Sequence, residues 1–178
     1  MADRDGVRAA PGARASTRGV VFVHSCPRAL AAHVEWALAD ILEAPVDLTW
    51  VPQPVDPGTV RTEVSWSGVT GTAGRIVSAL RGWGRVRFEV TEEPTGTTEG
   101  ERYSVTPSLG VFRAIVGVTG DIQVTEERLR GALARSGAAG DLAAELADLL
   151  GASWDAELEA FRYAGDGASV RWLRQGVS

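Results

Sequence analysis

Between residues 19 and 91 the spacing of apolar positions switches repeatedly between two periods, and each switch marks a new element. Val20–Val21–Phe22–Val23 is a continuous run of β-branched and aromatic residues, the pattern of a strand buried on both faces. Pro27 follows, well placed near a helix start because the N–H it lacks would go unpaired there anyway. Leu30, Val34, Ala37, Leu38 and Ile41 recur at helical spacing and give one apolar face, which Pro45 ends. Val46, Leu48 and Trp50 alternate with Asp47 and Thr49, the period-two signature of a half-buried strand. After a turn built on Pro52, Pro54, Pro57 and Gly58, residues Val60, Thr62, Val64 and Trp66 alternate with Arg61, Glu63 and Ser65 in a further strand. Ala73, Ile76, Val77 and Leu80 mark a shorter helix that ends around Gly82, and Val86, Phe88 and Val90 alternate with Arg87, Glu89 and Thr91.

The two stretches, 19–53 and 60–91, therefore repeat one β-α-β plan. That repetition predicts an α+β fold with a ferredoxin-like βαββαβ core, an antiparallel four-stranded sheet carrying both helices on one face. Residues 92–100 read as a polar loop, and 102–106 and 109–118 as two further strands that extend the sheet or cover its free face. The C-terminal part reads as helical. Thr125 can cap a helix whose first turn holds Glu126 and Glu127, where carboxylates suit the dipole. Leu142, Leu146, Leu149 and Leu150 give a second apolar face; Trp154, Leu158 and Phe161 give a third, with Ser153 as its expected N-cap. Val170, Trp172 and Leu173 are expected to dock the C-terminus. The division expected is a disordered tail over 1–17, a sheet domain over 18–124, and a helical region over 125–178 packed on the same core.

Composition narrows the chemistry. All eighteen basic residues are Arg, and the chain has neither Lys nor Asn. Schiff-base chemistry, pyridoxal phosphate anchoring and the P-loop lysine are thereby excluded. One cysteine rules out an internal disulfide, and two histidines leave no Cys-rich zinc site, so no metal or other cofactor is expected. The lone thiol, together with the missing apolar segment after the N-terminal arginines, predicts a cytoplasmic protein. No apolar run reaches the length of a membrane span. The formal charge of −5 argues against nonspecific nucleic-acid binding, which needs a positive field.

Few side chains invite a catalytic reading. His24–Ser25–Cys26 follows the first strand, and Cys26 precedes the Pro27 helix, whose dipole could stabilise a thiolate. In an extended segment His24 and Cys26 point the same way but lie about 6 to 7 Å apart, beyond a direct hydrogen bond. A small buried thiol beside a hydrogen-bonded histidine is the simpler reading. His33 and Glu35, two apart on the first helix, cannot share a metal within it; a structural histidine is expected, while a site joining His24 and His33 to a carboxylate stays open. Glu89, Glu92, Glu93, Glu99 and Glu101 crowd one strand end but match no cation-binding loop, and read as solvated. Gly68, Gly71 and Gly74, with Thr70 and Thr72, open a helix that could hold an anion, although a tight loop explains them as well. Asp155 and Glu159 read as a solvated helix face beside Arg162. Arg61, Glu63, Ser65, Arg87, Glu89 and Thr91 should line the sheet face opposite the two helices. They form either a mixed-charge surface for a partner or ligand or a face covered by the C-terminal elements.

Several stretches together resemble one family: Val21–Phe22–Val23–His24–Ser25, His33–Val34–Glu35–Trp36–Ala37, Phe88–Glu89–Val90–Thr91–Glu92–Glu93–Pro94, Gly100–Glu101–Arg102–Tyr103–Ser104 and Phe161–Arg162–Tyr163–Ala164–Gly165. They are similar to the uncharacterised actinobacterial DUF3145 proteins, over about residues 19 to 175. The resemblance implies no known catalytic residue. It implies a genomic association with fatty-acid elongation, and an Ala in relatives at the position of Cys26, which would exclude a Cys-dependent mechanism shared by the family. The function expected is a non-catalytic module that binds an unknown protein partner or small molecule through residues such as His24, His33, Arg61, Glu63, Arg87 and Glu89. The alternatives are a small acyl-transfer or hydrolytic enzyme using His24 with Ser25, Cys26 or a carboxylate, and a homo-oligomer.

Overall fold

A computed structural model describes residues 15–137 and 140–164. Seven antiparallel strands form one sheet: β1 (Ser16–Pro27), β2 (Val51–Pro52), β3 (Thr59–Val69), β4 (Arg87–Glu92), β5 (Gly100–Thr106), β6 (Gly110–Val116) and β7 (Ile122–Gln123). Their order across the sheet is β2-β3-β1-β4-β5-β6-β7. Five α-helices accompany them: α1 (Ala31–Leu42), α2 (Thr72–Leu80), α3 (Glu126–Ser136), α4 (Leu142–Leu150) and α5 (Ala152–Tyr163). The fold is α+β. None of these helices is long and apolar enough to cross a membrane.

The strand alternation splits the molecule into two layers. Val21, Val23, Phe88, Val90, Tyr103 and Val105 point to one side, where they pack with Val34 and Leu38 of α1 and Ile76, Val77 and Leu80 of α2. Full burial of each such aliphatic or aromatic side chain stabilises by about 1.5–3 kcal/mol, so this layer dominates the hydrophobic term. The intervening residues Phe22, Glu89, Arg102 and Ser104 face the other side, which α5 crosses. Phe112 and Ala114 of β6 are buried there too, being paired in register with Ser104 and Arg102. Gly19 has no room for a side chain, since a Cβ would lie 1.8 Å from the Thr91 carbonyl oxygen.

Three local expectations change, and of the two placements expected for 102–106 and 109–118 the strands take the one that extends the sheet. The segment 46–50 alternates as a strand would, with Leu48 buried and Val46 and Trp50 packed on the core, yet only Val51 and Pro52 pair with β3. Trp50 instead sends its indole N–H to Glu35 on α1, 2.7 Å away, and Pro52 has no N–H for a ladder bond. Helix α5 starts from Gly151 rather than Ser153. Gly151 has φ +80 and lies so close to the Phe112 ring that only a glycine fits between α4 and α5. Strand β1 begins at Ser16, whose pairing with Val69 brings residues 16 and 17 into the sheet. The expected docking of Val170, Trp172 and Leu173 lies outside the described residues, as does the tail up to residue 14.

Candidate functional site

A bulge in β1 decides where the sequence candidates go. Val23 pairs with Phe88 and Ser25 with Arg87, so β1 carries one residue more than β4 across this step, and a similar slip separates Val23 from Cys26 against β3. Bulges re-aim side chains. Cys26 consequently joins the core beside α1, while His24 faces the opposite layer, so the two do not point the same way as regular alternation predicts. The Cys26 thiol is fully buried, donates to the Pro27 carbonyl at 3.4 Å, and is pushed up by desolvation to a pKa of about 11. A thiol in that state is no nucleophile at neutral pH. Ser25 donates to Asp56 at 2.8 Å. Among the described residues no hydrogen bond joins His24 to Ser25 or Cys26.

His24 instead meets Glu89, the hub of a buried polar cluster. Its Nε2 lies 2.7 Å from Glu89 Oε2, and its ring stacks on Phe22 with centroids 5.1 Å apart. Arg162 of α5 grips the same carboxylate with two bonds, Nε to Oε2 at 3.0 Å and Nη2 to Oε1 at 2.7 Å. Arg102 Nη2 and Ser104 Oγ add bonds to Oε1 at 3.0 and 3.2 Å. Asp155 closes the ring, accepting from Arg102 at 2.7 Å and from Arg162 at 2.8 Å. Two guanidinium groups thus balance two carboxylates. Burial alone would raise the Glu89 pKa, but the hydrogen bonds and charges of His24 and Arg162 outweigh it and hold the carboxyl well below the ordinary range. The ionised carboxylate can only accept, so His24 Nε2 carries the proton and donates. Gln53 ties the cluster to the sheet edge by donating to the His24 carbonyl at 2.7 Å and the Phe161 carbonyl at 3.4 Å.

The cluster continues towards the β1 terminus. Arg87 stacks over the Phe161 ring at 4.7 Å and donates from Nε to Glu157 at 3.0 Å. Burial works to raise the Glu157 pKa, and bonds from Ser108, Thr106 and Arg87 more than reverse it. The other sequence candidates lie apart from this set. His33 is exposed on α1, against Trp36, and does not converge with His24, which lies beneath the opposite sheet face. Glu63 and Ser65 on β3 are exposed and Arg61 half-buried, so only the β4 half of the expected mixed-charge row is covered.

The crowded glutamates are solvated only in part: Glu93 and Glu99 are exposed as their spacing suggested, whereas Glu89 and Glu92 are buried. Glu89 is the buried hub; Glu93 pairs with Arg18 at 2.6 Å; Glu101 accepts from Tyr103 at 2.6 Å and pairs with Arg113. Burial first, and then the neighbouring Glu101, push Tyr103 up to about 12. Glu92 reaches across to the start of α2, accepting from the Gly71 and Ala73 N–H groups at 2.8 and 2.9 Å. The anion suggested for the Gly68–Gly71–Gly74 turn is the protein's own carboxylate, placed where helix N–H groups and dipole favour it. Asp155, expected on a solvated face, bridges two arginines. Among the described residues no three His, Cys, Asp or Glu side chains group as a metal site.

Arg102, Ser104 and Gln53 were not singled out in the sequence as site residues, and Arg162 was placed only beside a solvated helix face. Arg102 and Ser104 alternate with Tyr103 and Val105 along β5 and so carry a detectable signal, as does Arg162, seven residues after Asp155 on one helix. Gln53, inside a proline-rich turn, carries none. Next to Arg102 lies a cleft of about 480 Å³, lined among others by Val20, Thr91, Val116, Val118 and Asp121.

The family model described as a protein of unknown function (DUF3145) matches residues 20–175. The chain belongs to the DUF3145 family. No curated protein and no solved structure matches this DUF3145 chain. The match spans every element described here except the first residues of β1, so the polar cluster and the cleft both lie inside the DUF3145 region.

Proposed function

We propose that this DUF3145 protein is a cytosolic, non-catalytic module that binds a protein partner or a small ligand. The observation that carries the reading is the saturation of Glu89. It accepts five hydrogen bonds, more than the roughly four lone-pair sites of a carboxylate, and His24 and Glu89 are both buried. A general base must reach a substrate proton; this one has no acceptor site left to offer. The 480 Å³ cleft falls within the range of ligand pockets, about 300–1,000 Å³, and Arg102 joins it to the cluster. The first four strands are read with it as a ferredoxin-like core. What supports that is their order, β2-β3-β1-β4, with every pair antiparallel. A link to fatty-acid synthesis has only the sequence resemblance behind it, so acyl thioesters and fatty acids belong among the first probes.

The test combines capture and turnover on the full chain. Wild type, His24→Gln and Val116→Trp, which fills the cleft, are incubated with cell extract and separately with acyl thioesters, esters and fatty acids. Mass spectrometry should find a stoichiometric ligand or partner on wild type and His24→Gln, a small ligand being lost from Val116→Trp, with no substrate consumed. Turnover of a thioester or ester that His24→Gln abolishes while staying folded would overturn the proposal in favour of an enzyme using His24 with Ser25, Cys26 or a carboxylate. Folded protein that holds nothing at all would also count against it.

A further inference from the structure

The cleft of about 480 Å³ is lined by a guanidinium that the fold uses only in part. Both bonds made by Arg102, to Glu89 at 3.0 Å and to Asp155 at 2.7 Å, leave from Nη2. Its Nε is buried without a partner, and its Nη1 donors have none among the described residues. Polar groups held this far inside a fold are ordinarily paired. Thr91 stands directly opposite Arg102 on β4, so the two side chains share one face with Cβ atoms about 4.5–5.5 Å apart. The Thr91 hydroxyl accepts from the Val20 N–H at 3.1 Å, and its own proton has no acceptor among the described residues. Two adjacent residues of the lining thus hold unused donors, and Val20, Val116 and Val118 supply an apolar wall.

The charges around the cleft say which acceptor fits. Arg102 is matched by Glu89 and Asp155, Glu93 by Arg18, and Glu101 by Arg113. Glu92 is held by the Gly71 and Ala73 N–H groups. Asp121, on the β6–β7 turn, accepts from Thr119 on Oδ2 at 2.9 Å and has no cation beside it among the described residues. The lining therefore carries no surplus positive charge and one unmatched negative charge. An entering carboxylate or phosphate would meet an arginine whose charge is already balanced and an aspartate that repels it. A neutral carbonyl oxygen can take the same N–H and O–H donors without that repulsion. An amide N–H can in turn donate to the remaining Asp121 oxygen.

We propose that the cleft takes a small neutral carbonyl compound, an amide in preference to a carboxylate. Its oxygen accepts from Arg102 and Thr91, its N–H faces Asp121, and its aliphatic part lies on the valines. This rests on the reading of the cleft as a ligand site and narrows it to one chemical class.

The test compares three probes with one apolar body, hexanamide, hexanoate and hexylamine. Each is titrated at neutral pH into the full chain carrying carbon-13-labelled valine methyls. Hexanamide should shift the Val20, Val116 and Val118 signals saturably. Hexanoate should bind several-fold more weakly because Asp121 repels it, and hexylamine likewise because it offers no acceptor. Thr91→Val, with a wild-type circular dichroism spectrum, should weaken hexanamide about three- to ten-fold, the worth of one hydrogen bond. Asp121→Asn, an exposed position, should narrow the gap between hexanamide and hexanoate. Val116→Trp should abolish the shifts. Hexanoate or hexylamine binding as tightly as hexanamide, or hexanamide indifferent to Thr91→Val, would overturn the inference and leave the cleft a ligand site. Silence from all three probes at tens of millimolar would overturn the inference and the small-ligand reading together.

Discussion

Replacing Glu89 by Gln changes one buried charge and almost no volume, and so isolates what the ionised hub contributes. The gross bonds cannot simply be added, since the folded state trades them against hydration of the same groups in the unfolded chain. The useful magnitude is the penalty for leaving Arg162 and Arg102 facing a neutral amide, about 3–5 kcal/mol for a buried pair robbed of one partner. For a chain of this length that predicts a fall in Tm of roughly 6–20 °C at neutral pH, at about 2–4 °C per kcal/mol. The pH dependence follows from the direction of the Glu89 shift. Its folded pKa lies below the ordinary value of 4.5, so the stabilisation is fully present above pH 4.5 and is lost as pH falls below it towards the folded pKa. Wild type should therefore lose stability steeply on acidification, and Glu89→Gln should show a shallower acid limb. Replacing Arg162 by Met in the same chain removes the orphaned charge and leaves Arg102 matched with Asp155, so the double variant should recover part of the loss. Urea unfolding at several pH values measures all three. A Glu89→Gln protein within 1 kcal/mol of wild type, about the net worth of an ordinary hydrogen bond, or one with an unchanged acid limb, would refute the reasoning.

Three further outcomes check other parts of the structure. Folded protein should leave Cys26 essentially unlabelled by a thiol reagent at pH 8, with labelling appearing only on unfolding, because the thiol is buried with a pKa near 11; fast labelling would place it elsewhere. Gly151→Ala should cost about 1–3 kcal/mol in denaturant unfolding, since it forces a side chain into positive φ against the Phe112 ring. Glu92→Ala should cost a further 1–3 kcal/mol, roughly the desolvation penalty of unpaired donors, and should raise amide exchange first at Gly71 and Ala73.

The sequence made one layer of this fold legible and hid the other. Alternation along 60–66 and 86–90, with helical spacing over 30–41 and 73–80, led directly to the sheet and its two covering helices, because those elements bury one apolar face each. Segment 46–50 misled, since alternation reports burial of side chains but not a ladder partner, and this stretch satisfies Trp50 through Glu35 instead. The second layer is polar where it matters. Arg102, Ser104, Asp155 and Arg162 look in sequence like ordinary solvated residues, and their burial depends on α5 being laid across the sheet. His24 and Glu89 were recognisable as candidates, but their mutual contact was not, for it needs the bulge after Val23 and a pairing of residues 65 positions apart.

The account rests on His24 and Glu89 being sealed rather than poised for chemistry. Deuterium exchange at the imidazole carbon between the two ring nitrogens tests this directly, because the chain has only two histidines and His33 serves as the internal exposed control. His33, exposed on α1, should exchange readily, and His24 should be strongly protected until the protein unfolds. Comparable exchange at the two rings in folded protein would contradict the account and would place His24 within reach of solvent and substrate.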